Sequence, residues 1–247
     1  MANQTTIQTS LNAGTGVTID TASAATGSGD ILVAAPVSKT AGPTSKLTLN
    51  AIRNLAVNAA ISASGSPLPL VLNAGGTISS SASIASNGGN ITLDIAQSFT
   101  LGSSLNAGTG QILLQTGILE SSANQTVTAS TVQVSAGATW RQRGTVAGSL
   151  SVAGTVSPGA QGIASLQVNS ALTLQSTSTT VLNLGGTSQG TNYGRITATG
   201  TVTLAGALQV DFANGFENTI VNTNSFTILS GASITGLPNY SRITMPN

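Results

Sequence analysis

The chain has 247 residues, 5% of them charged against roughly 25% in an average soluble protein, and a net charge of +1. That balance gives no electrostatic case for a nucleic-acid partner or an acidic membrane surface. The apolar runs last three to five residues, too short for a membrane helix of about 20 or for outer-membrane strands of about 10 with aromatic girdles. Histidine and cysteine are both absent, which removes Ser-His-Asp and Cys-His catalysis and most zinc sites.

Met1-Ala2-Asn3-Gln4 carries no basic or apolar leader, so an export signal is expected upstream in a longer parent chain. Apolar triplets then recur: Val17-Thr18-Ile19, Ile31-Leu32-Val33, Leu47-Thr48-Leu49, Leu70-Val71-Leu72, Ile91-Thr92-Leu93, Ile112-Leu113-Leu114, Val132-Gln133-Val134 and Leu150-Ser151-Val152. From Leu70 to Leu150 they restart every 18 to 21 residues. Alternation over three to five residues indicates strands with one buried face. Restarting at a near-constant interval indicates a repeat architecture. No helix is expected, because glycine or asparagine interrupts almost every ten residues and β-branched residues are frequent.

A unit of three short strands cannot bury its own apolar face, so neighbouring units must stack on it. The expected fold is all-β: a right-handed parallel β-helix of about 20–21 residues per coil, its hand taken from the crossover rule. About 11 coils at ~4.8 Å each give a rod roughly 50 Å long. In the coil from Gly88 to Thr116, Ile91, Leu93, Ile95, Phe99, Leu101 and Leu105 are expected inside, with Thr92, Asp94 and Thr100 outside. Gly and Asn suit the corners. Leu-Asn occurs at Leu11-Asn12, Leu49-Asn50, Leu72-Asn73 and Leu105-Asn106, but the spacing supports a stacked amide ladder only for Asn50 and Asn73.

Several stretches of the first half carry a family likeness: "KTAG" at Lys39–Gly42, "LTLNA" at Leu47–Ala51, "RNLAVNAAIS" at Arg53–Ser62 and "SNGGNITL" at Ser86–Leu93. This resembles the repeats of filamentous-haemagglutinin-type large exoproteins, the cargo of bacterial two-partner secretion. Further on, "GSLSVAGTVSPG" (Gly148–Gly159) and "YGRITATGTVTLAGALQVDFANGF" (Tyr193–Phe216) resemble the closing coils of autotransporter passengers. The resemblance implies a right-handed parallel β-helix, export to the cell surface, and adhesive or structural roles. It divides the chain at the change of style, into a haemagglutinin-repeat-like part at 1–140 and an autotransporter-passenger-like continuation at 141–247. No Asn-Pro-Asn-Gly-type secretion signature and no translocator barrel are seen in the sequence, which points to a piece from the middle-to-late part of a parent protein.

Candidate chemistry is sparse. The acids are Asp20, Asp30, Asp94, Glu120, Asp211 and Glu217, and only Asp211 and Glu217 lie close in sequence, across "FANGF". They read as solvated loop charges, against the alternative of a catalytic or metal pair. No catalytic residue, metal site or cofactor is expected. The one dense polar-aromatic spot is Trp140-Arg141-Gln142-Arg143, where the two sequence styles meet. It reads either as a coil boundary with Arg stacked on Trp, or as a contact patch of Trp140, Arg141 and Arg143 for a glycan or protein. Thr-x-Thr pairs such as Thr201/Thr203 do not recur at the coil period, which argues against a flat ice-binding surface.

The expected function is a structural stalk or adhesin segment of a secreted bacterial exoprotein, extracellular or at the cell surface, and not an enzyme. Its expected partners are a host or neighbouring-cell surface glycan or protein and the parent's outer-membrane translocator, with no nucleic acid and no membrane insertion. The alternatives are a polysaccharide-acting β-helix enzyme, which needs three or more acids converging beside Arg or Lys, and a self-assembling extracellular fibre subunit.

Overall fold

Each apolar run forms a strand, and each strand lies parallel and in register with its counterpart one coil on. Leu47 pairs with Leu70, Leu70 with Ile91, and Ile91 with Ile112, so one column of aliphatics runs along the interior. Register is held by the core, since a slip of one residue would turn Leu70 and Leu72 out to solvent. The computed structural model describes residues 2–21, 29–121, 123–237 and 239–244.

The winding has three sides. One is a 10-stranded sheet that starts with Ile31–Val33, Leu55–Val57 and Ile78–Ser80 and finishes at Asn239–Thr244. The other two are ladders begun by Val17–Asp20 with Leu47–Ala51, and by Val37–Lys39 with Ile61–Ala63. Two long strands, Gln125–Val134 and Gly144–Val152, bend from one ladder into the other and join them as one 17-stranded sheet. The architecture is therefore an all-β parallel β-helix, with ten rungs on the continuous side rather than about 11. The stack crosses residue 140 without a break, since Glu120 pairs with Arg141 and Trp140 with Val156.

The coil length is constant only in the middle. Leu70 to Ile91 and Ile91 to Ile112 are 21-residue steps, and Val132 to Leu150 shortens to 18. Towards the ends, the steps from Val17 to Leu47 and from Leu172 to Val202 widen to 30. Stacking constrains the strands and leaves the corners free to grow, because corner residues lie outside the ladder. Ile91, Leu93, Ile95, Phe99, Leu101 and Leu105 are all fully buried, while Thr100 is exposed and Thr92 and Asp94 are half-buried. Each such aliphatic contributes about 1.5–3 kcal/mol on burial.

The expectation of no helix fails at the start of the chain. Gln4–Asn12 is an α-helix, α1, whose N-cap Asn3 accepts a hydrogen bond from Thr5 N through its side chain. Ile7 and Leu11, four residues apart, share one face. Leu11 is fully buried and Ile7 packs against the core. Val17–Asp20 pairs with Leu47–Ala51 and with no other strand among the described residues, and a helix beside it meets its own backbone hydrogen bonds without a ladder partner. Leu11-Asn12 is therefore a helix end and not a corner. Asn12 Oδ1 accepts from Thr40 N and Ala41 N, and Ser45 Oγ donates to Leu11 O.

The turn that seats α1 is tied by Lys39, which is fully buried. Its Nζ donates to Ala41 O, Gly42 O and Ser66 Oγ, three acceptors for the three protons of an ammonium. One side chain thus clasps the 40–42 turn to the coil above.

At the other end the coils thicken. Tyr193, Phe212, Phe216 and Phe226 leave the shaft and form a satellite cluster with Leu184, Val210, Ile220 and Ile228. Tyr193–Phe226 and Phe216–Phe226 pack edge to face with centroids 5.2 and 5.9 Å apart. Such pairs add about 0.5–1.5 kcal/mol beyond area burial. This cluster braces the two protruding corners, residues 185–194 and 213–228, against the wall.

Candidate functional site

The Trp140-Arg141-Gln142-Arg143 segment is split by the alternation of its strand. Trp140 points into the shaft and is fully buried, paired in register with Leu119 and Val156. Its ring cannot serve as a contact anchor, nor can Arg141 stack on it, because adjacent residues of a strand face opposite sides. The expected patch of Trp140, Arg141 and Arg143 therefore does not exist as one surface. Arg141 stands half-buried on the outer side of the 10-stranded sheet, one rung from Glu120.

Arg143 lies past the corner, and its neighbours set its position. Gln142 turns inward, fully buried, and its Nε2 donates to Gln125 O at 2.8 Å and to Thr145 O at 3.3 Å. Arg143 N donates to Ser121 Oγ, whose hydroxyl donates back to Arg143 O. These bonds fix the corner, and the Arg143 side chain beyond it is half-buried, with its Nε shielded from solvent.

There it lines a groove of about 370 Å³ shared with Ser121, Gln161, Thr191 and Asn214. Ser121 belongs to the Arg143 corner, and three further corners supply Gln161, Thr191 and Asn214. Gln161 sits in a turn held by Asn183, whose Nδ2 donates to Gln161 O at 2.6 Å and whose N donates to Gly162 O. Thr191 belongs to the loop closed by Gly185 N to Asn192 O and Gly190 N to Tyr193 O. Asn214 follows the strand Ala207–Phe212 with φ of 57°, a left-handed backbone that Asn tolerates better than most residues. The satellite aromatics hold the last two corners in place. Among the described residues, Arg143 is the one charged side chain lining the groove. Gln161, Thr191 and Asn214 are exposed and carry both donors and acceptors.

The sequence did not single out Gln161, Thr191 or Asn214. They lie 18 to 71 residues from Arg143, and only the winding brings them together. The signal available was the pair of widened coils, each with aromatics off the alternation pattern.

The acids do not gather. Asp20 and Asp94 lie on one ladder three rungs apart, Asp30 lies 3.8 Å from Arg53 Nε, Glu120 is on the 10-stranded sheet, and Asp211 and Glu217 are in the widened last coils. Asp211 accepts a hydrogen bond from Gln209 Nε2. Among the described residues no group of three or more His, Cys, Asp or Glu side chains is placed to hold a metal ion.

Asn50 and Asn73 do stack, with Asn73 Nδ2 donating to Asn50 Oδ1 at 2.8 Å. Their column runs on to Asp20 below and Asp94 above. Asn106 falls on another ladder, beside Ala85 and Thr128. An open hollow of about 460 Å³ flanks the column at Asn73, Asp94 and Thr116. Its polar groups are engaged with one another, since Thr116 Oγ1 donates to Asp94 Oδ1 and Asn73 donates to Asn50. The groove at Arg143 is lined by that cation and by three exposed polar side chains.

Comparison with family models, curated proteins and solved structures finds no match to this chain.

Proposed function

We propose that the chain is a stalk or adhesin segment of a secreted bacterial exoprotein, working outside the cell or at its surface. The observation that carries this reading is the uninterrupted shaft: ten parallel rungs with an aliphatic interior and a polar, nearly uncharged flank. A rod of that kind holds its ends at a set distance, about 45 Å for ten rungs at ~4.8 Å spacing. Its Thr, Ser and Asn side chains offer many weak contacts, which sum through multivalency to a glycan or protein on a host or neighbouring cell. Export through an outer-membrane translocator of the parent, by the two-partner or autotransporter route, fits the sequence resemblance. Scattered acids favour a spacer over a polysaccharide-acting enzyme, whose chemistry needs convergent carboxylates.

One observation favours a second reading, a fibre subunit. The exposed large hydrophobics are Leu32 and Ile52 near one end and Val221, Ile234 and Leu237 near the other, with none between among the described residues. The strand Ser233–Gly236 is exposed throughout and pairs on one side only. Helix α1 packed beside Val37–Lys39 opposes end-to-end growth at the first coil.

The test combines shape with activity on the purified chain. Small-angle scattering should report a rod of constant mass at every concentration, and beads coated with the protein should adhere to cell-surface glycans or proteins. New reducing ends appearing in a polysaccharide substrate would replace the stalk with an enzyme. Mass growing with concentration would replace it with a fibre.

A further inference from the structure

We infer that the hollow beside Asp94 binds a primary ammonium group, that of a free amino sugar such as a glucosamine unit of a deacetylated polysaccharide. The inference deepens the adhesive reading and rests on it for biological meaning, while the binding itself is a separate property. It starts from the direction of the amide ladder. Asn50 Nδ2 donates to Asp20 Oδ2 at 3.4 Å, and Asn73 Nδ2 donates to Asn50 Oδ1 at 2.8 Å. A carboxylate only accepts, so Asp20 sets that direction, and each amide turns its nitrogen toward the coil below. Asn73 Oδ1 is left on the side of Asp94, its register neighbour one coil above. An acceptor then meets an acceptor, and among the described residues no hydrogen bond joins the two side chains.

Such a gap calls for a donor. One ammonium nitrogen about 2.8 Å from each oxygen bridges a rung spacing of ~4.8 Å with two of its three protons. A water can bridge the same oxygens, but charge favours the ammonium: among the described residues no Lys or Arg side chain forms an ion pair with Asp94. Asp94 is held in place from the next coil. Thr116 Oγ1 donates to Asp94 Oδ1 and accepts from Ile95 N at 3.0 Å, which leaves Asp94 Oδ2 for the ligand. The space suits a sugar better than a bare amine. The hollow measures about 460 Å³, within the range of small-ligand sites, and Ala51, Ala74, Gly75, Ala96 and Gly117 around it have no side chain beyond Cβ to obstruct a pyranose ring. No aromatic side chain lines it, so affinity at one site is expected near about 1 mM, raised when many stalks meet one polymer.

The probe is triglucosamine with its amines protonated, titrated into the intact chain and followed by NMR or calorimetry, beside tri-N-acetylglucosamine, which keeps the sugar and removes the charge. Triglucosamine should bind, and the acetylated trimer should bind at least about tenfold more weakly, as expected for loss of a charge-assisted pair. Asp94→Asn replaces the carboxylate by an amide whose nitrogen can donate to Asn73 Oδ1 and continue the ladder. It should lose at least about tenfold in binding while its thermal midpoint stays level or rises. Asn73→Thr removes the amide oxygen and keeps a residue that suits a strand surface, so binding should weaken by about two- to fivefold. Glu120→Gln removes the same charge away from the hollow, on the 10-stranded sheet, and should stay within about twofold. Raising NaCl from about 50 to about 500 mM should weaken triglucosamine binding and leave the acetylated trimer unchanged.

Equal binding of the free and acetylated trimers overturns the inference. So does equal loss in Asp94→Asn and Glu120→Gln, or methylammonium binding as tightly as the sugar. If Asp94→Asn fails to fold, Asn73→Thr and the acetylated trimer decide. Absence of triglucosamine binding with bead adhesion retained removes this site and keeps the adhesive stalk; triglucosamine binding without adhesion does the reverse.

Discussion

Gly148 shows how little room a corner leaves. It lies within the bent strand Gly144–Val152, with φ of 150°, and a Cβ placed there would come 1.8 Å from Ala129 O one coil below. That carbonyl belongs to backbone and cannot rotate away as a side chain would. Gly148→Ala is expected to destabilise the fold by about 2–4 kcal/mol, from overpacking together with a strained backbone. Denaturant titration of the variant against the parent would check this. A change below about 0.5 kcal/mol would mean that the two ladders flex where they join. At this scale the sequence was legible wherever strict alternation held. It placed Ile91, Leu93 and Phe99 inside correctly, and the Asn50–Asn73 amide pair as well. It misjudged Trp140, because a polar setting of Arg-Gln-Arg masks the inward position that Leu119 and Val156 share in the same column.

Helix α1 is the element that the repeat logic missed. A repeat argument assumes a strand neighbour on each side, and among the described residues Val17–Asp20 has a strand neighbour on one side and α1 beside it. What α1 contributes is coverage, with Leu11 buried and Gln4 and Gln8 both donating to Pro36 O. It does not close the end fully, since an apolar hollow of about 220 Å³ remains beside Ile7, Ile19 and Leu32. Leu11→Ala should cost about 2–4 kcal/mol locally, as large-to-small core changes do. Amide exchange should speed up across residues 31–49 while residues 91–114 keep their protection. Acceleration spread evenly over all coils would show instead that the first coils and the middle unfold as one unit. The sequence held the cues for this helix: Asn at the cap, and Ile7 and Leu11 four apart. They were outweighed by the glycine and asparagine breaks and β-branched residues that speak against helix over the chain as a whole.

For the whole molecule, a solenoid is stabilised by its own coils and by contacts between neighbours, so stability follows position along the axis. The middle coils combine constant length, full burial and partners on both sides. The last coil exposes Ser233–Gly236, and the nearby strand Ala207–Phe212 of the 10-stranded sheet is half-buried along its length. Native-state hydrogen exchange should therefore be slowest between Leu70 and Val152 and fastest after Thr201. The check is a residue-by-residue exchange profile, and uniform protection from end to end would contradict it. The Arg143 groove lies across this gradient, joining the firm middle to the widened final coils. Arg143 is anchored by the former, while Thr191 and Asn214 are carried by the latter.

Strand type, most interior residues and parallel stacking were set by the amino-acid order alone. Each depends on alternation over a few residues and on composition, which are local. The helix over the first coil, the inward turn of Trp140 and the meeting of Arg143 with Gln161, Thr191 and Asn214 were decided only by the tertiary winding. The reason is geometric: a coil brings residues about 20 apart to ~4.8 Å, so what shares a surface depends on the length of every corner between them.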